Sequence, residues 1–178
     1  LPTYGTQVLM NVINETGALP TRNANDVQFD GASKIGGEAM HEVRESDGKA
    51  NLVSNSACFS CPISCGRVSQ IDPTHFTVQG KPKYQEPSGG LEYENAWSQG
   101  AATGVDDLEA LTYCNFICNE QGFDPISFGS TVAAAMDLYQ SGTIGDNVTD
   151  GIKLEFGNTE ALVQIIEATA QGEGFGKE

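Results

Sequence analysis

Cys58, Cys61 and Cys65 stand within one short run, Ala57-Cys58-Phe59-Ser60-Cys61-Pro62-Ile63-Ser64-Cys65-Gly66-Arg67, and this C-x2-C-x3-C spacing constrains the chain more than any other feature. Thiols this close in one loop are placed to close three thiolates around one metal centre. Iron-sulfur cubanes are held by four cysteine thiolates, commonly with part of the set in a tight run and the rest supplied from far away. The loop therefore reads as three of the four ligands of a cluster, with no fourth evident nearby. Pro62 fixes φ and Gly66 allows close backbone approach, both of which suit a segment that wraps a cofactor.

Other uses of the same residues stay open at this level. A Cys3His zinc site needs one more nitrogen, and His75 follows Cys65 at moderate distance, although structural zinc sites usually come as two spaced pairs. A disulfide would leave one of the three unpaired, and the chain's total of five cysteines is odd, unlike a stapled secreted framework. Covalent haem attachment fails because Pro62 stands where C-x-x-C-H requires histidine, and the radical-enzyme spacing C-x3-C-x2-C is the reverse of this one.

Acidic residues outnumber basic ones 24 to 9, a formal charge of -15, which repels phosphate backbones and anionic bilayer surfaces. No nucleic-acid partner is expected, and the simplest use of such acidity is solubility. No apolar run approaches the roughly 20 residues that span a bilayer, and no basic-then-apolar leader opens the chain. A cytoplasmic setting with reduced thiols is the expectation. At 178 residues the chain is long enough to bury about 70% of its unfolded surface. The ends, Leu1-Pro2-Thr3 and Gly172 to Glu178, look cut, so a piece of a longer protein is expected.

Val8, Leu9, Val12 and Ile13 predict an amphipathic helix closed by Gly17, and Leu19-Pro20-Thr21-Arg22-Asn23 predicts a turn. Ile35, Met40 and Val43 form a second stripe, interrupted by Gly36 and Gly37. Between Ala50 and Gly90 regularity fades, with short strands expected at 66–71 and 76–79. Asp106-Asp107-Leu108-Glu109 has the form of a capping box ahead of Ala110, Leu111, Cys114, Ile117 and Cys118, with Gly122 as terminator. Asp124-Pro125 then offers a cap and an N1 proline for a helix carrying Val132, Ala133, Met136 and Leu138 to Gly142. Leu162, Ile165, Ile166 and Thr169 predict a last helix ending near Gly172. The fold class is mainly α: one irregular helical domain over 1–178 with a cysteine-rich loop insert.

These residues together resemble the middle domain of the aldehyde ferredoxin oxidoreductases, the tungsten- or molybdenum-pterin enzymes. The likeness rests on Gly5-Thr6, Gly17-Ala18-Leu19-Pro20-Thr21-Arg22-Asn23, the loop ending Cys65-Gly66-Arg67, Glu92-Tyr93-Glu94, and Asn119-Glu120-Gln121-Gly122-Phe123-Asp124, in the family's order. It implies the second part of a three-part enzyme, in which two helical domains and a β-rich one enclose a metal bound by two pyranopterins. It further implies that Cys58, Cys61 and Cys65 bind a [4Fe-4S] cluster, with the fourth cysteine supplied by the third domain. Asn119, Gly122 and Asp124 would correspond to the pterin-contacting D-x-x-G-L-D element. Asn119 departs from it by losing the first carboxylate, though its amide can still donate and accept hydrogen bonds.

The same resemblance places Glu94 near the metal, as a carboxylate suited to taking a proton from water. Read without it, Glu92 and Glu94 are charges favoured at a helix start by the dipole. Tyr113-x-x-Phe116 stands where some relatives carry a Glu-x-x-His iron site and is unsuited to one. Cys114 and Cys118 read as packed core thiols. The stretch from Cys65 to Glu92 looks longer than in typical members, a place to shape substrate access or a partner contact. The implied activity is oxidation of an aldehyde to a carboxylate, with electrons leaving through the cluster to ferredoxin or another iron-sulfur carrier. The alternatives are a non-catalytic zinc module built on Cys58, Cys61, Cys65 and His75, or a same-fold enzyme acting on another substrate, such as an aromatic acid thioester.

Overall fold

The computed structural model describes residues 3–177. A three-ten turn, Gly5–Val8, runs into helix α1 (Leu9–Glu15), and Gly17 at φ +68° reverses the chain as expected. The buried side of α1 differs from the apolar pairs read in sequence. Met10 is fully buried and Ile13 packs against the core, whereas Leu9 and Val12 face solvent. The turn that follows is a docking element: Arg22 N–H and Asn23 N–H donate to the carbonyls of Ala101 and Ala102, and Trp97 Nε1 donates to Pro20 O at 2.8 Å.

The second stripe is split. Gly36, in extended conformation with ψ -179°, ends α2 (Ala32–Ile35) and starts α3 (Gly37–His41), and the exposed Val43 lies outside both, in an isolated bridge to Ala50. Next comes a small antiparallel sheet in the order β1 (Leu52–Ser56), β2 (Gly66–Ser69), β3 (Ser88–Gly89). β2 is the expected strand at 66–71, trimmed by two residues. The other expected strand, 76–79, is a three-ten turn, Phe76–Val78, opened by the bond from Val78 N–H to His75 O at 3.2 Å.

Helices α4 (Tyr93–Gln99), α5 (Leu108–Gln121), α6 (Pro125–Gln140) and α7 (Thr159–Gln171) build the core with Leu19, Ile35, Ile71, Leu91 and Leu154. The cap of α5 sits one residue later than the sequence suggests. Asp107 Oδ1 accepts from Ala110 N–H at 3.0 Å, which frees Glu109 to take the Arg44 guanidinium at 3.0 Å and the Asp72 N–H at 2.9 Å. The α5 stripe is also not a stripe. Every residue from Ala110 to Cys118 is buried, because α4, α7, β3 and the three-ten turn Phe76–Val78 pack around it, leaving no solvent face. Asp124 caps α6 through Ile126 N–H and Ser127 N–H, Asn158 caps α7 through Ala161 N–H, and Gly122 and Gly172 close α5 and α7 in the left-handed conformation.

Candidate metal centre

β1 and β2 form a hairpin whose last pair is Ser56 with Gly66, and the cysteine run is the loop beyond that pair. Ser60 and Ser64 take left-handed φ of 59° and 52°, and Cys61 N–H donates to Cys58 O at 3.0 Å, so the run reverses twice between its cysteines. Cys58 and Cys65 are exposed, Cys61 is half-buried, and all three are free thiols. No three histidine, cysteine or acidic side chains among the described residues converge as a ligand set. The loop presents its sulfurs without drawing them together. As chemistry the set fits an iron-sulfur cluster, since soft thiolates are its ligands and three on one loop leave a single position for a donor from elsewhere.

His75 does not fit as that donor, which corrects the zinc alternative. Its Nδ1 lies 2.8 Å from Thr77 Oγ1 and its Nε2 3.1 Å from Asp107 Oδ2, so both ring nitrogens are taken. It also sits at the wrong end of the hairpin. Asp72, three residues before it, bonds Glu109 beside the Leu52–Ser69 pair, while the loop starts past Ser56, four strand steps or about 13 Å further on.

A residue to which the sequence reading gave no role joins the loop to the rest of the fold. Arg67 is buried, and its Nη1 donates to Ser64 O at 3.2 Å, Gly66 O at 2.9 Å and Asn55 Oδ1 at 3.0 Å. Its guanidinium lies against Gly5, where an added Cβ would meet Nη2 at 1.6 Å. Next to Gly5, Thr6 Oγ1 donates to Glu92 Oε2 at 2.5 Å and accepts from Tyr93 N–H at 2.9 Å, fixing the start of α4. Burial raises the Glu92 carboxyl, against the pull of the Thr6 bond and of the Arg67 charge. Glu94, one residue into α4, is exposed. Gly5-Thr6 and Cys65-Gly66-Arg67 carried the family likeness, but a contact over so long a sequence separation leaves no local signal.

The α5–α6 junction holds the other predicted site residues. Asn119 is exposed near the end of α5, with its amide beside Gly89 of β3, and Gly122 takes φ +77° with open space where a side chain would stand. Asp124 accepts from Ile126 N–H at 3.1 Å, Ser127 N–H at 3.2 Å and Ser127 Oγ at 2.5 Å, and these bonds hold its carboxyl below the usual range. A carboxylate has about four acceptor positions, so capping leaves it one free for a ligand donor. The exposed Asn119 amide and the open Gly122 also fit a pterin edge. Two bridges tie this junction to the carboxylates and the loop. Asn115 Nδ2 donates to Gly89 O at 2.9 Å, within the sheet that continues to β2, and Ser98 Oγ of α4 donates to Pro125 O at 3.2 Å.

Cys114 and Cys118 are core thiols. Burial pushes Cys114 well up and Cys118 up to about 12, so neither is a thiolate near neutral pH. In metal-free protein, iodoacetamide should label Cys58, Cys61 and Cys65 and spare Cys114 and Cys118 until the chain is unfolded, as peptide mapping by mass spectrometry would show.

At the α5 start, burial works to raise the Asp107 carboxyl, but the bonds from His75 and Ala110 N–H outweigh it and hold it below its ordinary value. Such a group stabilises the fold above its unfolded value of about 3.9, and that contribution is lost as pH falls through the lower folded value. Asp107→Asn should therefore be less stable than the parent at neutral pH, with the gap closing as pH falls below the ordinary carboxylate range. Urea unfolding at several pH values measures it.

The family described as aldehyde ferredoxin oxidoreductase, domains 2 and 3, matches residues 1–178. The chain is 41% identical to a tungsten-containing aldehyde ferredoxin oxidoreductase of Pyrococcus furiosus and 40% identical to one of Thermococcus kodakarensis, each over 99% of this chain and 26% of the relative. An aliphatic sulfonate oxidoreductase, WOR-like subunit, of Pyrococcus furiosus is 25% identical over 68% of this chain and 18% of the relative. The chain belongs to the aldehyde ferredoxin oxidoreductase family, and it spans about a quarter of the length of the curated aldehyde oxidoreductases it matches. Among the described residues no helix is long and apolar enough to cross a membrane.

Proposed function

We propose that this chain is a helical domain, the second part of a longer three-domain enzyme that oxidises an aldehyde to a carboxylate: RCHO and water give RCOO⁻, three protons and two electrons. The observation that carries the reading is the C-x2-C-x3-C loop on a chain 41% identical, along almost its whole length, to relatives named for that activity. The aldehyde substrate is favoured over a sulfonate by the lower, 25% identity to the sulfonate oxidoreductase. When bound, a tungsten–bis-pyranopterin would accept the two electrons and a neighbouring [4Fe-4S] cluster would relay them to ferredoxin or a similar carrier.

In this proposal the chain's own residues bind, orient and move protons. Cys58, Cys61 and Cys65 hold three corners of the cubane, and the fourth thiolate comes from another domain. Asn119 and Asp124 donate to and accept from the pterin edge, and Gly122 lets it approach. Glu94 takes a proton from the water that supplies the new oxygen. Five free cysteines, with no disulfide among the described residues, support a reducing compartment such as the cytoplasm.

Metal and acid-labile sulfide analysis of anaerobically prepared full-length protein tests the reading. About four iron and four sulfide per chain, together with tungsten, are expected for a cubane beside the pterin metal. Protein containing stoichiometric zinc and no sulfide would overturn it.

A further inference from the structure

We propose that Arg67 is a positioning residue for the metal centre: its buried guanidinium clamps the C-terminal limb of the cysteine loop onto the Gly5–Thr6 turn and places a fixed positive charge beside the cluster. The inference rests on the cubane assigned above and goes beyond its ligands.

A guanidinium is costly to remove from water unless its donors are satisfied, and Arg67 meets that cost with loop and strand acceptors. Two of them, Ser64 O and Gly66 O, flank Cys65, so the fork defines where the third sulfur leaves the strand. The third, Asn55 Oδ1, lies on the residue paired with Arg67 across the hairpin. The clamp thereby spans both strands at the mouth of the loop.

The other side of the guanidinium is set by Gly5. At φ +58° and with Nη2 where its Cβ would stand, Gly5 is a position where a side chain would be strained and would displace the guanidinium. Thr6, the next residue, holds Glu92 and the first N–H of α4. One path from the sulfurs to the carboxylates at the α4 start therefore runs through this side chain, beside the backbone bond from Gly90 N–H to Arg67 O. Cluster potentials respond to nearby charge and hydrogen bonding, and a buried cation favours the more negative, reduced cluster. Lysine would keep the charge but not the fork.

Two measurements on the full-length enzyme separate the two effects. In an anaerobic redox titration followed by electron paramagnetic resonance, Arg67→Met should lower the ratio of reduced to oxidised cluster at fixed potential about tenfold, a fall of about 59 mV in midpoint for a one-electron couple. Arg67→Lys should hold most of the parent potential. In hydrogen exchange on metal-free protein, the amides of Cys61 and of residues 63–66 should exchange faster in both variants. Parent-like potential in Arg67→Met or parent-like exchange in Arg67→Lys overturns the proposal. If Arg67→Met does not accumulate as folded protein, exchange in Arg67→Lys decides alone. A parent protein that binds no cluster refutes the functional reading instead, while the exchange arm still tests the clamp.

Discussion

Full-length enzyme carrying Cys61→Ser is expected to lose its cubane resonance and more than about a hundredfold of its aldehyde-dependent carrier reduction. Loss of a partner that merely supports a metal ligand costs roughly 10–100-fold, and loss of the ligand should exceed that. Cys61 is the middle sulfur of the run, half-buried and tied by its N–H to the carbonyl of Cys58, so a serine there keeps the backbone turn while replacing a thiolate by a hard, poorly ionised hydroxyl. The control is Cys118→Ser. Its sulfur is buried and accepts from Gln99 Nε2 at 3.7 Å, so that variant should lower stability and leave iron content unchanged. Parent-like iron, sulfide and turnover in Cys61→Ser would remove Cys61 from the ligand set.

The sequence is most readable where local chemistry decides the outcome. Asp124-Pro125 starts α6, Gly122 and Gly172 end α5 and α7, and the Leu162–Thr169 spacing lies on a helix packed against the core. Each depends on residues within a turn or two of one another. The unread features depend on distant partners. All of β1 except Leu52 is exposed and shows no alternation, because its pairing is made by backbone bonds to β2 rather than by a buried face. Glu109 has the spacing of a capping residue, yet Arg44 and Asp72 claim it, and Asp107 takes the cap instead.

The candidate site divides in the same way. Its cysteines announce themselves by spacing, whereas Arg67 gains its meaning from Gly5, Thr6 and Glu92, all far away in sequence. The zinc alternative was open for a related reason. Nothing near His75 in sequence reveals that Thr77 and Asp107 occupy both its nitrogens, or that the hairpin carries the cysteines away from it.

Glu94→Gln in the full-length enzyme is expected to lower kcat about 10²–10⁴-fold while iron, sulfide and tungsten contents stay at parent levels. The substitution keeps the size and hydrogen-bonding of the side chain and removes its capacity to accept a proton, so a role in proton transfer appears in kcat rather than in cofactor loading. The competing role is electrostatic. As an exposed acid in the first turn of α4, Glu94 would stabilise that helix by about 0.3–1 kcal/mol through the dipole, and its loss would appear only as a small shift in unfolding. Glu92→Gln separates the two carboxylates. Glu92 accepts from Thr6 and burial raises its carboxyl, so Glu92→Gln, which keeps an oxygen for the Thr6 bond and removes the buried charge, should be at least as stable as Glu94→Gln and should turn over at the parent rate. If Glu94→Gln instead turns over at the parent rate and differs only in stability, the carboxylate belongs to the helix and the proton acceptor must come from another part of the enzyme.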